Sequence, residues 1–414
     1  MNSDFITHLR AANTIKRWAL KFSFDEENDA EHSLIVGAMA HIIANIGKHK
    51  CGKEYNPEQI AMSGILHEAG EWGGGGDIVS PAKYCDADVT KAMKEMENSF
   101  EWNLVNGLPD DLKDIYKGFL VQDSVDKDIK KIVKAADDIA ALLKATFEVD
   151  LNNEGFGNAE WRLQQAVIKH SQQHEEVKIF LDLFCEPTLL LDRYTLIGMV
   201  GNAPQRLFTK TMRINKKSDF LEHFFLAPKI KRWSMMQSFA NENVAEHSFT
   251  VSSIAHIIAN IGITRYDRDY DANVIGTEGI FHQAASWGGG GDIVSPAKNL
   301  NSTIKNAINY MEGRFEEAMV QTMPDFLQLT YKEYFIRERE HPENKAILKA
   351  AIDISMFIKS YEEVNLGNLN YLVTSNKLRA VVNKHCEDYE EVKDFVDTFC
   401  DESFKTVDEM FTAK

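Results

Sequence analysis

The sequence predicts an all-α protein made of two tandem helical bundles that pack against each other. The first observation is an internal repeat: the segment WGGGGDIVSPAK at 72–83 recurs unchanged at 287–298, and His32 recurs as His247, in both cases 215 residues later. The second is apolar spacing of three and four residues almost throughout, without the alternation typical of strands. A repeat of this length is a whole domain rather than a solenoid unit.

The repeat divides the chain into domains 1–199 and 216–414, joined by a linker at 200–215. With 414 residues and 44% hydrophobic content, the chain can bury two cores. The linker is too short to let the domains move far apart, so we expect them to pack together.

Composition narrows the possible partners and location. The formal net charge of −17 disfavours polynucleotides and acidic membranes, although a metal and a few basic residues can still create a pocket for a small anion. The apolar stretches are too short and too polar to span a bilayer, and the N-terminus lacks a signal pattern, so we expect a cytoplasmic protein. Five cysteines without CxxC spacing predict reduced thiols.

The helices that matter for function are predicted from apolar spacing and end signals. Apolar residues within 35–46 mark one helix, which we expect to end at Gly47. The next is expected to begin at Asn56-Pro57, because this pair supplies an N-cap and a first-turn proline, and to run to Gly73.

The end of this second helix carries the segment HEAGE at 67–71. The glycines that follow are expected to terminate the helix and turn the backbone toward Asp77. No GK[ST] follows them, which argues against a phosphate loop, and HEAGE lacks the second histidine of a zinc protease motif.

A third helix, over 129–143, places Asp137 on its apolar face, where a charge needs a partner. The equivalent position in the second copy is Ile352, which completes an apolar stripe. Asp138 lies about 100° further round the helix. Because it recurs as Asp353, we expect it to be a solvated or capping carboxylate.

Four of these residues form a candidate metal site: His32, His67, Glu68 and Asp137. Each histidine taken alone is more often a packed or surface residue. Two imidazoles and two carboxylates together suit one borderline divalent ion such as Mn, Co, Ni, Fe or Zn.

The motifs around these residues are, in chain order, IKRW at 15–18, NDAEHS at 28–33, HEAGE at 67–71, GDIVSPAKY at 76–84 and VKAAD at 133–137. Together they resemble the 5′-deoxynucleotidase branch of the HD-domain phosphohydrolases. The resemblance covers essentially all of each half.

The resemblance implies that one divalent metal, held by His32, His67, Glu68 and Asp137, supports removal of phosphate from deoxyribonucleoside 5′-monophosphates. It assigns proton transfer to Glu71 and names Asp77 as a further catalytic residue. It further implies that Arg17 binds the phosphate and that Trp18 packs against the sugar and discriminates against a 2′-hydroxyl. The other implied substrate-binding residues are Ser33, Asp77 and Pro81. Without the resemblance, Arg17 and Trp18 would be interpreted as an ordinary packing pair. Glu71 would then be a solvated charge at a helix end, and Asp77 would be a helix cap.

The chain departs from the family pattern in both halves. Glu68 stands where the family has aspartate, and its extra methylene alters the geometry of the metal site. In the second half the two carboxylate ligands and the proton-transfer residue are replaced by Gln283, Ile352 and Ser286. We expect this half to be a degenerate site that retains Arg232, Trp233, His247, His282 and Asp292.

We therefore expect a metal-dependent nucleotide phosphohydrolase whose catalysis occurs in 1–199 only. Two alternatives stay open: a catalytically decayed nucleotide-binding or regulatory protein, and an HD hydrolase acting on nucleoside triphosphates or cyclic nucleotides. HD nucleotidases of this type resemble obligate pairs. The two copies are therefore expected to form an intramolecular pseudo-dimer, with the chain as a monomer.

Overall fold

The computed structural model describes residues 3–185, 218, 220–336 and 342–400. The helices of the first half are α1 (Phe5–Ala11), α2 (Asp29–Lys50), α3 (Pro57–Ile65), α4 (Ser80–Lys83), α5 (Ala87–Asn106), α6 (Asp110–Leu120), α7 (Lys127–Asp150), α8 (Gly157–Gln173) and α9 (Glu175–Phe184). A π-helical turn, Glu71–Gly75, precedes α4, and a 3-10 turn, Glu154–Phe156, precedes α8.

The second half repeats this order 215 residues later. Its helices are α10 (Phe220–Phe224), α11 (Val244–Tyr266), α12 (Ala272–Phe281), α13 (Ser295–Lys298), α14 (Ser302–Thr322), α15 (Asp325–Phe335), α16 (Pro342–Asn365), α17 (Leu372–Asp388) and α18 (Glu390–Phe399), with short turns at Ala227–Lys229, Ser286–Gly290 and Leu369–Tyr371. Extended pairing in the described ranges is limited to two isolated bridges. The predicted all-α fold is confirmed, and the predicted linker at 200–215 lies outside the described residues.

Helix α2 begins at a capping box in which the Asn28 side chain accepts from the Glu31 amide and the Glu31 side chain accepts from the Asn28 amide. The predicted end at Gly47 is wrong, because the helix continues to Lys50. Gly47 has a packing role instead. A Cβ there would lie 2.7 Å from the ring of Tyr55, so only glycine lets that ring approach the helix.

The predicted end of the second helix at Gly73 is also wrong, since α3 ends at Ile65. In an uninterrupted helix the carbonyl of Gly64 would accept from the Glu68 amide. Here it contacts His67 Nδ1 at 2.7 Å, which replaces that backbone bond with a side-chain bond. His67 and Glu68 therefore lie on a turn between α3 and the π-helical turn, rather than on a helix face.

The central helices of the two halves form the middle of the molecule. Helix α2 is buried from Asp29 to Gly47, and α11 from Val244 to Gly262. These helices contact each other, α3 contacts α12, and one apolar cluster spans both halves. The predicted intramolecular pseudo-dimer is confirmed.

Reciprocal hydrogen bonds follow the pseudo-two-fold symmetry of the halves. Asn28 Nδ2 donates to Glu246 Oε1 at 2.7 Å, and Asn243 Nδ2 donates to Glu31 Oε1 at the same distance. The N-cap of each central helix is thus bonded to the first turn of the other. Two buried hydroxyl–imidazole pairs repeat the symmetry at 2.8 Å, Tyr116 with His256 and Tyr331 with His41.

Asp138 does not have the solvated or capping role that the sequence predicted. Its side chain is buried, lying 2.8 Å from His170 Nε2 and 2.9 Å from Lys134 Nζ. Asp353 repeats the imidazole contact with His385 at 2.8 Å. The aspartate recurs in both copies because it ties two neighbouring helices together, which requires neither solvent nor metal.

Two further observations bear on the sequence predictions. None of the helices in the described ranges is both long and apolar enough to cross a membrane. The cytoplasmic location stays a prediction. The five cysteines are free thiols.

Candidate active site

Four side chains of the first half converge on one point. His32, His67, Glu68 and Asp137 each offer a ligand atom, and these atoms lie within 4.8 Å of one another. His32 Nε2 is 3.0 Å from Asp137 Oδ1, and His67 Nε2 is 3.3 Å from Glu68 Oε1. No other group of three or more such donors occurs among the described residues.

Three separate elements supply these ligand atoms: α2 carries His32, the turn after α3 carries His67 and Glu68, and α7 carries Asp137. Since His67 Nδ1 is bonded to the Gly64 carbonyl, its Nε2 lone pair is free to face the cluster, where Nε2 is buried without a hydrogen bond. Two imidazoles and two carboxylates fit a borderline divalent cation, as the sequence predicted.

Local charges keep the carboxylate ligands ionised. Burial favours the neutral acid, but Lys134, whose Nζ lies 2.8 Å from Oδ2, holds the pKa of Asp137 well below its usual range. Burial likewise opposes ionisation of Glu68, yet His67 and Arg17 hold its pKa well below the usual value. Both carboxylates are therefore charged and able to bind a cation.

Arg17 lies directly beside the cluster. Its Nη1 donates to Glu68 Oε1 at 2.8 Å and is 3.5 Å from Asp29 Oδ1. The Arg17 backbone amide donates to the Glu27 carbonyl at 3.0 Å, which holds the segment against the start of α2. The guanidinium is thus fixed next to the predicted metal position.

The sequence reasoning missed Asp29 as part of this site. Asp29 is fully buried, and neither of its carboxylate oxygens makes a hydrogen bond. Burial and the nearby Glu68 raise its pKa to about 7. A signal was available, because the second copy has Val244 at this position, a loss of carboxylate like that of Asp137 to Ile352.

Trp18 and Asp77, both predicted to contact substrate, lie together. The Trp18 amide donates to Asp77 Oδ2 at 3.0 Å, and its indole Nε1 donates to Glu27 Oε2 at 3.3 Å. Trp18 has a φ of +62°, a left-handed backbone conformation that is costly for a non-glycine residue. Trp233 repeats it with a φ of +59°.

Glu71 and Ser33 present buried polar atoms without partners. Glu71 Oε2 and Ser33 Oγ are both buried and make no hydrogen bond. Burial and the neighbouring charge of Glu68 raise the pKa of Glu71 to about 11, so its carboxyl is protonated at neutral pH. The side chain of Pro81 lies outside the described part of the chain.

A cavity of about 550 Å³ adjoins the four candidate metal ligands and is lined by three of them, His67, Glu68 and Asp137. Glu71 also lines it, and so do Lys83, Lys94, Lys130 and Lys134. Arg17, Trp18 and Asp77 are not among its lining residues. Acidic side chains also line the cavity, and Lys83 pairs with one of them, Glu97. The sequence could not reveal that these four lysines share one cavity, because they come from three separate helices, α4, α5 and α7.

The second half keeps the imidazoles but not the acid groups. His282 Nδ1 contacts the Gly279 carbonyl at 2.7 Å, as in the first copy. Ser286 Oγ donates to Gln283 Oε1 at 2.8 Å, so the residues that replace Glu71 and Glu68 bond to each other. The ring of His247 contacts Ser355 Oγ through Nδ1 at 3.1 Å. Of the other retained residues, Arg232 Nε pairs with Glu242 at 3.1 Å and Asp292 is half-buried.

The all-α bundle and the convergence of two histidines and two carboxylates on one point agree with the resemblance that the sequence motifs indicated. The sequence model of the YfbR-like 5′-deoxynucleotidases matches residues 4–188 and again 219–403. The chain belongs to this family, and both the predicted resemblance and the predicted tandem duplication are confirmed.

Individual relatives correspond to one copy of the repeat. A 5′-deoxynucleotidase of Vibrio cholerae is 37% identical over 182 residues, which cover 44% of this chain and 92% of the relative. One from Citrobacter koseri is 34% identical over 182 residues, 44% of this chain and 90% of the relative. Among solved structures, an HD-domain phosphohydrolase from Listeria innocua is similar with a TM-score of 0.40 at 24% identity, covering 47% of this chain and 91% of that one.

Proposed function

We propose that the protein removes the 5′-phosphate from deoxyribonucleoside monophosphates at a single metal centre in domain 1–199, with domain 216–414 as a noncatalytic partner. The observation that carries the proposal is the convergence of His32, His67, Glu68 and Asp137 on one point in the first half. Of the described residues in the second half, none form such a group. Relatives that match one copy are named 5′-deoxynucleotidases.

One divalent ion, from the set Mn, Co, Ni, Fe and Zn, would be held by His32, His67, Glu68 and Asp137. When bound, it would neutralise phosphate charge and make water more acidic. Lys134 holds Asp137 in its ionised form, and the Gly64 carbonyl fixes the ring of His67.

The remaining residues would bind the substrate and move a proton. Arg17 would bind phosphate through the guanidinium held beside Glu68. Trp18, with its backbone fixed by Asp77, would pack against the sugar and exclude a 2′-hydroxyl. Glu71, whose carboxyl burial and the charge of Glu68 keep protonated, would donate a proton to the leaving nucleoside oxygen. The unpartnered hydroxyl of Ser33 would contact the substrate, and the resemblance adds Pro81 to these contacts.

The testing experiment is a turnover assay of the metal-loaded full chain against a panel of nucleotides. The panel contains deoxyribonucleoside and ribonucleoside monophosphates, triphosphates and cyclic nucleotides, with released phosphate and nucleoside identified. Release of phosphate from deoxyribonucleoside monophosphates supports the proposal. Turnover of triphosphates or cyclic nucleotides alone would indicate another HD activity, and binding without turnover would indicate a decayed, regulatory protein.

The chain offers a matched pair of variants for this assay. His67→Ala and His282→Ala remove equivalent imidazoles, each bonded to a glycine carbonyl at 2.7 Å. His67→Ala should abolish turnover, whereas His282→Ala should leave it nearly intact. Equal losses in both variants would contradict catalysis in the first half alone.

A further inference from the structure

Glu27 lies between the candidate metal ligands and the predicted substrate residues. Its side chain is 10% exposed, and its two carboxylate oxygens have different neighbours. Oε1 is 3.6 Å from Nδ1 of His32, whose other ring nitrogen, Nε2, faces Asp137 at 3.0 Å. Oε2 accepts from the indole Nε1 of Trp18 at 3.3 Å and is 3.9 Å from Arg17 Nε. One carboxylate thus faces a candidate metal ligand with one oxygen and the predicted substrate residues with the other.

The backbone around Glu27 is fixed at several points. The Glu27 carbonyl accepts from the Arg17 amide at 3.0 Å. Just before it in the chain, the amides of Phe24 and Asp25 donate to the carboxylate of Glu148 on α7, each at 3.0 Å. Glu148 is itself fully buried. The segment that precedes α2 is therefore tied to α7, and this holds Glu27 beside His32.

His32 Nδ1 is the atom that needs a partner. It is buried and makes no hydrogen bond, and no other carboxylate of the described residues forms an ion pair with it. A neutral imidazole that binds a cation through Nε2 carries its proton on Nδ1. That proton needs an acceptor, because a buried donor without a bond is costly. Oε1 of Glu27 is less than about an ångström beyond hydrogen-bond distance, so a small shift brings it into place.

The second half keeps the contacts of the other carboxylate oxygen. Glu242, the equivalent of Glu27, accepts from Trp233 Nε1 at 2.8 Å and from Arg232 Nε at 3.1 Å. The described residues of that half contain no group of candidate metal ligands. The contacts to tryptophan and arginine therefore form without such a group, and the contact to the histidine is the one that distinguishes the first half.

The outer nitrogen of the equivalent histidine has a different partner. His247 Nδ1 contacts the hydroxyl of Ser355 at 3.1 Å. The first half has Ala140 at the position of Ser355, so no hydroxyl is present there to compete with Glu27. The imidazole next to the four candidate ligands thus faces a carboxylate, whereas the imidazole of the half without them contacts a neutral hydroxyl.

We propose that Glu27 is a positioning residue for the metal ligand His32. Through Oε1 it accepts the Nδ1 proton, which fixes the ring and directs the Nε2 lone pair toward the metal. Through Oε2 the same carboxylate holds the indole of Trp18. This inference rests on the proposed metal centre and adds to it a residue that acts through His32.

Calorimetric titration of the chelator-treated full chain with Mn²⁺, Co²⁺ and Zn²⁺ in turn tests this without a turnover assay. The wild type should bind one ion per chain. Glu27→Gln should bind it about 10- to 100-fold more weakly, because glutamine is uncharged and its single oxygen cannot serve both the imidazole and the indole. Glu242→Gln makes the same change in the second half and should leave metal affinity unchanged.

The failures of the two proposals are distinguishable in this titration. If the wild type binds none of the three ions, the proposed metal centre itself is refuted. If the wild type binds an ion and Glu27→Gln binds it equally well, or if both glutamine variants lose affinity equally, the role of Glu27 is overturned while the metal centre stands.

Ala140→Ser separates positioning from a general loss of structure. In the Glu27→Gln background the new hydroxyl should accept the Nδ1 proton, as the contact of Ser355 with His247 suggests, and should recover most of the lost metal affinity. A folded double variant without recovery would refute the assignment. If Glu27→Gln fails to fold, Glu27→Asp keeps the charge but draws the carboxylate back from Nδ1, and it should weaken metal binding about tenfold or more. Undiminished affinity in that variant would equally overturn the proposal.

Discussion

Arg17 Nη1 lies 2.8 Å from Oε1 of Glu68, the residue at which the chain departs from the family pattern. The same Oε1 is 3.3 Å from His67 Nε2. The side chain of Glu68, longer than that of aspartate, thus reaches both the guanidinium of Arg17 and the imidazole of His67. In the second half, Gln283 replaces this glutamate, and Arg232 Nε lies 3.1 Å from Glu242 Oε2, whereas Arg17 Nε lies 3.9 Å from the equivalent Glu27 Oε2.

This geometry predicts that Glu68→Asp is harmful. The shorter carboxylate cannot keep both contacts, so metal affinity and kcat/KM should fall by about 10- to 100-fold. Metal titration and steady-state kinetics on the same preparation measure the two effects. If both quantities rise instead, glutamate is a defect of this chain and the site has not adapted to it.

One ion per chain is the expected metal content. After chelation, reloading and dialysis, elemental analysis should find one divalent ion in the wild type and none in His67→Ala, because the cluster loses a ligand. His282→Ala should retain one ion. Two tightly bound ions in the wild type would mean that the second half also binds metal.

Glu71 should make the metal-free protein less stable against unfolding as the pH rises. Its folded-state pKa of about 11 lies above the usual value of 4.5, so the folded state holds a proton that the unfolded state releases as the pH rises. The contribution of Glu71 to the free energy of unfolding is fully present below its unfolded-state pKa. Above that pKa the contribution declines by up to about 1.4 kcal/mol per pH unit. Glu71→Gln should flatten this decline between pH 5 and 8 in urea unfolding of chelator-treated protein.

The same substitution should reduce turnover of the metal-loaded protein by roughly 10²–10⁴-fold, since glutamine cannot donate the proton. A variant with normal turnover would remove Glu71 from the chemistry. An unchanged pH dependence of stability would show that its carboxyl is already ionised in the fold.

Trp18→Ala should relax discrimination between deoxyribonucleotides and ribonucleotides. Loss of the indole opens space beside the sugar, so the ratio of the two kcat/KM values should move toward one. Trp233→Ala is the matched control, because the two indoles have equivalent packing. The ring centroids of Trp18 and Phe156 are 5.1 Å apart, and those of Trp233 and Tyr371 are 5.4 Å apart. An equal shift in both variants would point to a general loss of packing.

The isolated 1–199 fragment should self-associate or be unstable. Removing the second half exposes the face of α2 that packs on α11 and leaves Tyr116 without the imidazole of His256. Light scattering after size-exclusion chromatography, together with thermal unfolding, measures both outcomes. A monomeric, stable and fully active fragment would contradict the need for an internal partner.

The sequence predicted the fold class well because helical spacing and the duplication are properties of the chain itself. It failed at Gly47 and Gly73. The ring of Tyr55 packs against the first glycine, and the imidazole of His67 contacts the Gly64 carbonyl where α3 ends. Neither contact can be predicted from the helix propensities of the residues.

For the site, periodicity placed Asp137 inward, and the motifs supplied its partners. Asp29 and the four lysines of the cavity were missed because their position near the site depends on which elements meet in space. For Asp29, comparison with Val244 would have sufficed. Asp138 was misjudged for a related reason, since a buried aspartate paired with His170 has the same sequence pattern as a solvated one.

The exchanged caps at the starts of α2 and α11 have a consequence for how this chain can evolve. Asn243 bonds Glu31, one residue before His32, so the second copy helps to fold the first turn that carries a proposed metal ligand. Substitutions at Gln283 or Ile352 leave that turn untouched, whereas substitutions at Asn243 or Glu246 reach it directly. If catalysis occurs in the first half alone, as proposed, the second half is free to change at positions equivalent to the proposed metal site, while its cap stays under the selection that acts on the first half. A saturation-mutagenesis screen for turnover should find that substitutions at Gln283 and Ile352 are tolerated. Substitutions at Asn243 and Glu246 should reduce turnover.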